Sequence, residues 1–184
     1  MSDQALPHPT SKNPAPFPSR QSRRWKGLAG ESLVLSHLFL KGYEAWQTRD
    51  NARDVDIIAA NPTTQKAAFI QVKTTDYWHR AKWPEWHVKP NVLEWQGERL
   101  VYTFVDLRDQ EKPRIYVVPS KTVCDVVSKC HDAYCKDKGK DPEELKKTGR
   151  MCFYFQGHPG VENYRLWAPT REESINRWDI LGLD

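Results

Sequence analysis

VDIIAANPTTQKAAFIQVKTT, residues 55–75, sets two short apolar runs on either side of a polar hexapeptide. Asn61-Pro62 inside NPTTQK is a turn signal between runs of β-type composition, so the stretch predicts a β-hairpin. Three residues do not suit a buried hairpin: Asp56 near the start of the first run, and Gln71 and Lys73 in the second. A charge taken out of water without a partner costs several kcal/mol or shifts its protonation instead. Strand side chains alternate, so Gln71 and Lys73 point one way while Ile70 and Val72 point the other. Asp56 on the neighbouring strand reaches the same spot, and polar groups gathered there call for a ligand or for solvent.

Working outward, SRRWKGLAGESLVLSHLFLKGY (22–43) predicts a helix. Leu28, Val34, Leu35, Leu38 and Phe39 recur at three- and four-residue spacing, and Gly42 supplies the stop. Glu31 falls three after Leu28 and four before Leu35, on the predicted core-facing stripe, from which it can come down to the hairpin's polar end. YEAWQTR (43–49) adds a first strand, giving a helix and then a three-stranded meander. DYWHRAKWPEWHVKP (76–90) extends the sheet only in part, and NVLEWQGERL (91–100) predicts a short helix capped by Asn91. Strands follow at LVYTFVDL (100–107) and RIYVVPS (114–120), then a second helix over 121–139 capped by Ser120, with Val123, Val127 and Cys130 on one side. KDKGKDPEELKKTGR (136–150) reads as a charged, solvated loop, Lys136, Lys138 and Lys140 included, and RWDILGL (177–183) as a segment that packs back. Helix alternating with strand points to an α/β domain.

A chain of 184 residues with 39% hydrophobic content is the size of one globular domain with a proper core. Five of its 13 prolines, Pro7, Pro9, Pro14, Pro16 and Pro18, fall at the start, so residues 1–21 read as a disordered Pro-rich tail and 22–184 as the folded domain. No stretch approaches the roughly 18 to 20 apolar residues that span a bilayer, and no apolar run marks a signal peptide; the expectation is a soluble, cytoplasmic protein with no membrane partner. A net charge of +4 is compatible with a polyanionic partner without demanding one. Cys124, Cys130, Cys135 and Cys152 form no CxxC pair, and their spacing, with His131 beside the second, matches no zinc module, so free thiols are expected. Trp78, Trp83 and Trp86, interleaved with His79, Arg80, Lys82 and His87, are the tryptophans whose setting would suit base stacking, and either histidine could assist proton transfer.

Oxygen donors from Asp56, Gln71 and Glu31 suit a hard cation such as Mg²⁺. An ammonium beside it, on Lys73, would stabilise charge building up on an attacked phosphoryl group. Glu31 in AGES, Asp56 in VDII and Gln71-Val72-Lys73 in IQVKTT together resemble the PD-(D/E)XK nuclease superfamily, whose pattern is a helical glutamate, a strand aspartate, then acid-x-Lys on the next strand. The resemblance covers residues 26–75. It implies a restriction-endonuclease-like mixed central sheet flanked by helices in one domain. It also implies a DNA endonuclease that hydrolyses phosphodiester bonds with Mg²⁺ or Mn²⁺, serving restriction, repair or mobile-element defence. The catalytic set would be Glu31, Asp56, Gln71 and Lys73, the first three holding the metal, and a double-strand cut would call for a homodimer.

The chain departs from the pattern in two places. Val55 stands where the pattern has proline, with Asp54 on the same face as Asp56 and able to take its place. Gln71 replaces the acid, which removes one negative charge from the site, although a QxK variant occurs in some branches. Two other uses of these residues follow: a catalytically inactive module of the same fold that binds DNA or a protein partner, and a purely structural hydrogen-bonded cluster.

Overall fold

The computed structural model describes residues 21–49, 54–76, 84–147, 151–156 and 168–184. Residues 1–20, Trp78, His79, Arg80, Lys82 and Trp83 lie outside this description. Helix α1 (Gln21–Leu40) ends in a glycine stop: Gly42 has φ +80°, its N–H donates to Phe39 O at 2.9 Å, and Tyr43 N–H donates to Leu38 O at 3.1 Å. This pair of bonds satisfies last-turn carbonyls that a helix otherwise leaves open. Strands β1 (Glu44–Gln47), β2 (Ile57–Ala60) and β3 (Ala67–Thr75) follow as an antiparallel meander. The β2–β3 turn is the expected one: Asn61 Oδ1 accepts from Thr63 N–H at 2.9 Å, while Gln65 takes φ +58°.

Strand β5 (Leu100–Asp106) pairs with β3 in parallel, and β6 (Arg114–Pro119) pairs with β5 antiparallel. The result is a mixed five-stranded sheet in the order β1-β2-β3-β5-β6, with helices on both faces, the α/β architecture expected. One face carries α1 and the C-terminal turn: Val34, Leu38, Ile57, Ile70, Val72, Val105, Trp178 and Leu183 are buried together. The other face carries α2 (Ser120–Lys138) and a two-stranded sheet made by β4 (Trp86–Val88) and β7 (Met151–Phe153). Its core is aromatic: Trp86, Tyr102, Phe104, Tyr116, Phe153 and Phe155. Among the described residues no helix is long and apolar enough to cross a membrane.

Several local expectations need correcting. The α1 stripe that meets the sheet is Gly30, Val34 and Leu38, whereas Leu28 and Phe39 are exposed. The register follows from Gly30: a Cβ there would stand 1.9 Å from Thr74 Oγ1, so only glycine lets the helix lie this close to β3. Glu31 therefore flanks the contact stripe. Residues 90–93 form a single 3-10 turn with Lys89, not Asn91, at its N-cap, because Pro90 starts the turn and the Asn91 side chain is engaged elsewhere. Ser120 begins α2 but does not cap it; its hydroxyl donates to Gly97 O at 3.0 Å and accepts from Gly97 N–H at 3.1 Å. The charged 136–150 segment is largely helical: α2 runs to Lys138 and α3 spans Pro142–Lys147, because Gly139 at φ +60° closes the first helix and Pro142 opens the second. Trp86 is a core residue, 1% exposed, its Nε1 donating to Val105 O at 3.2 Å, so it offers no stacking platform.

Gly30→Ala is expected to destabilise the fold by about 1–3 kcal/mol through overpacking, despite alanine's helix preference of about 1 kcal/mol over glycine. Thr74→Ala, which removes the clashing hydroxyl, should recover most of that loss in a double variant. Urea unfolding of the two singles and the double checks this; strictly additive losses would contradict the packing account.

Candidate active site

The hydrogen-bond ladder between β2 and β3 stops where the chain turns away at Asp56. Asp56 N–H still donates to Ile70 O at 2.9 Å, but the next β3 donor, Val72 N–H, is taken by the Asp56 carboxylate at 2.7 Å. Gln71 Nε2 donates to the same carboxylate oxygen. Asp56 thus substitutes for the missing backbone partner, which holds its carboxylate against the face from which Gln71 and Lys73 project. Thr48 N–H anchors the Asp56 carbonyl from the other side at 2.9 Å.

Asp56, Gln71 and Lys73 are thereby brought together on the face opposite α1. Glu31 is not in their hydrogen-bonded group. It sits on the α1 side, where Thr74 and Val72 point, and Gln47 Nε2 donates to its Oε2 at 2.6 Å; its negative charge nevertheless acts on Lys73. Four further residues, unremarked in the sequence as site members apart from Asp54, complete the face. Asp54 has φ +52°, a backbone region that costs a non-glycine residue energy and clusters at functional sites. Its carboxylate accepts from the Asn91 amide and lies 3.8 Å from Lys89 Nζ. Tyr102, the β5 partner of Gln71, closes the recess that these groups share with Lys73. The recess holds about 10 Å³, room for about one water. The signal for Lys89 and Asn91 was their two-residue spacing around Pro90; Tyr102 had none, because its place depends on the β3–β5 register. His87 is exposed and turned away from the recess, with Cys152 Sγ 3.3 Å from its Nδ1.

No protein-family model matches the chain, and no curated protein matches it in sequence. Among solved structures it is similar to one described as a bacterial homing endonuclease, I-Ssp6803I. The identity is 12% and the TM-score 0.48, over 87% of this chain and 92% of that one.

The electrostatics follow from burial. The Asp56 carboxyl is pushed above the usual carboxylate range, first by burial and then by Asp54, against the opposing pull of Lys73, the Val72 N–H and Gln71. The Lys73 ammonium is lowered by burial and by Lys89, and is supported by Asp56, Asp54 and Glu31. Lys73 makes no ion pair within 4.0 Å among the described residues. Each of the two opposite charges thus supports the other's charged form without a close ion pair among the described residues.

The pH consequence has a definite sign. A carboxyl raised in the folded state binds its proton more tightly there than in the unfolded chain. Asp56 therefore withdraws stability as pH rises from about 3.9, the unfolded value, through its folded pKa. Lys73 is the largest influence holding that pKa down, so Lys73→Met should raise it further. A carbon-detected NMR titration of the Asp56 carboxyl reads this directly, and an unchanged midpoint would show that the two charges are not coupled.

The donors near Lys73 that could meet a hard cation are few: the Asp56 carboxylate and the Gln71 carbonyl. Among the described residues no three His, Cys, Asp or Glu side chains gather as a metal-binding group. One carboxylate, the Gln71 carbonyl oxygen and waters suit Mg²⁺, which commonly uses only one or two carboxylates and keeps several waters.

Proposed function

We propose that the protein is a Mg²⁺- or Mn²⁺-dependent DNA endonuclease acting through Asp56, Gln71 and Lys73, with Glu31 adding charge from the α1 side. The observation that carries this reading is the half-buried Lys73 ammonium. It faces the Asp56 carboxylate and Gln71 on one surface of the sheet without closing on either. Asp56 and the Gln71 carbonyl would hold the cation, with waters completing its shell. The bound cation would neutralise phosphate charge and lower the pKa of an attacking water.

The chain's own groups supply the rest. Val72 N–H and Gln71 Nε2 fix the Asp56 carboxylate in one orientation. Lys73 offers its positive charge to the non-bridging oxygens of the scissile phosphate as negative charge grows on them. Lys89, tied to Asp54 at 3.8 Å, seats a neighbouring phosphate. Restriction, repair and mobile-element defence all use such an activity, and a pair of these sites in a homodimer would cut both strands.

A second reading has its own observation in Gln71, which is neutral where the pattern has an acid and donates its amide to Asp56. On that reading the fold is an inactive module that binds DNA or a protein partner. Nicking of supercoiled and branched plasmid with Mg²⁺, Mn²⁺ or EDTA separates the two. Metal-dependent nicking by the wild-type chain supports the enzyme. Gln71→Glu, which restores the acid, should then bind Mg²⁺ more tightly without losing activity. A wild type inert with every metal, beside a Gln71→Glu variant that cuts, would identify a decayed nuclease.

A further inference from the structure

Phe69 shares the strand face of Gln71 and Lys73, one two-residue step along β3 from Gln71, a distance of about 6.6 Å. In a strand that is otherwise mostly buried, its ring is 42% exposed. It lines a cleft of about 620 Å³ together with Val55, Trp95, Glu94, Glu98 and Arg99. Val55 stands between Asp54 and Asp56 in the chain, so the cleft neighbours the candidate site, although the cleft and the recess at Lys73 share no lining residue. Its volume lies within the roughly 300–1,000 Å³ of small-molecule pockets, whereas the recess at Lys73 holds only about 10 Å³.

We propose that this cleft takes an unpaired nucleobase of the DNA strand whose phosphate lies at Lys73, so that the substrate is single-stranded or locally unpaired DNA. This deepens the nuclease reading and rests on it for the phosphate position. Charge complementarity selects the occupant. Glu94 and Glu98 outnumber Arg99 in the lining, which disfavours phosphate there, while carboxylates accept hydrogen bonds from exocyclic base amines. The phosphates are left to Lys73 and Lys89. Phe69 and Trp95 present apolar aromatic surface, on which a base stacks without regard to its sequence. Bases in a duplex have their faces covered by their neighbours; an unpaired base offers one.

The test is fluorescence-anisotropy binding of the full chain, in EDTA, to labelled oligonucleotides: a single strand, the same strand with abasic positions, and the fully paired duplex. The single strand should bind more tightly than the duplex or the abasic strand. Phe69→Ala should weaken single-strand binding by roughly 5- to 150-fold, the range for loss of one stacked base, and leave duplex binding unchanged. Phe69→Trp, which keeps an aromatic face, should restore it, and circular dichroism should show all variants folded. Equal binding of single strand and duplex, no binding of either, or Phe69→Ala binding as wild type would each overturn the proposal. Because the assay contains no metal, its outcome is independent of cutting. Base-dependent binding by a chain that never nicks DNA would retain the cleft and remove the enzyme; nicking unaffected by Phe69→Ala would do the reverse.

Discussion

Lys73→Ala is expected to lower metal-dependent DNA cleavage by about 10²- to 10³-fold, the 3 to 4 kcal/mol typical of removing one preorganised group from a developing oxyanion. The fold should stay intact. Lys73 is half-buried, makes no close ion pair among the described residues, and has its charged form disfavoured by burial, so truncating it removes a buried charge and not a structural bond. Asp56→Ala should go further and abolish metal-dependent cutting, since it removes the carboxylate that Val72 N–H holds on the face of Gln71 and Lys73. It also leaves that N–H without its acceptor, so its folding should be checked first by circular dichroism. Single-turnover cleavage at saturating Mg²⁺ measures the chemical step. A Lys73→Ala rate within threefold of wild type would remove Lys73 from the catalytic set.

Phe104→Ala is expected to lower the unfolding free energy by about 3–5 kcal/mol, the range for a large aromatic emptied from a core. Phe104 is fully buried and sits at the centre of the aromatic cluster. Its ring stacks on Phe153 at 4.2 Å and 6°, meets Trp86 at 5.4 Å, and has Phe155 edge-on at 6.0 Å. The cluster joins α2 and the β4–β7 pair to the main sheet, so the loss falls on the contact between layers. Phe104 is also the β5 partner of Lys73, and the resulting cavity would loosen the strand beside the candidate site. Urea unfolding with an unchanged slope reports the stability difference. A change under 1 kcal/mol would mean that the neighbouring rings collapse into the space; Phe104→Leu, which leaves a smaller void, should cost less than alanine.

Burial and charge trade off differently at these two positions. Phe104 is placed for packing alone, whereas Lys73 and Asp56 each sit where burial opposes the charged form, an arrangement typical of functional sites. The cysteines show the structural side of the same effect. Cys124, Cys130, Cys135 and Cys152 are free thiols, and burial pushes Cys130 up to about 11, far from the reactive thiolate range.

Elements whose signals are local could be read from the chain alone. The Asn61-Pro62 turn, the Gly42 stop and the two-residue alternation of IQVKT act within a few residues. They placed the β2–β3 hairpin, the end of α1, and Asp56, Gln71 and Lys73 on one surface. The aggregate pattern of helix and strand was enough for the α/β class. Tertiary structure decided what depends on distant partners. The parallel pairing of β3 with β5 brings Tyr102 beside Gln71, and no turn signal encodes it. The close seat of Gly30 on Thr74 rotates α1, so that Glu31 faces Gln47 instead of joining the group across the sheet. Burial of Trp86 against the rings of Phe104, Tyr116 and Phe155 removes it from any binding surface, while Phe69, in the apolar half of β3, is left exposed at a cleft. Helix rotation and the pairing of distant strands are set by the fit of whole surfaces against each other, and the spacing of residues along one segment does not contain that information.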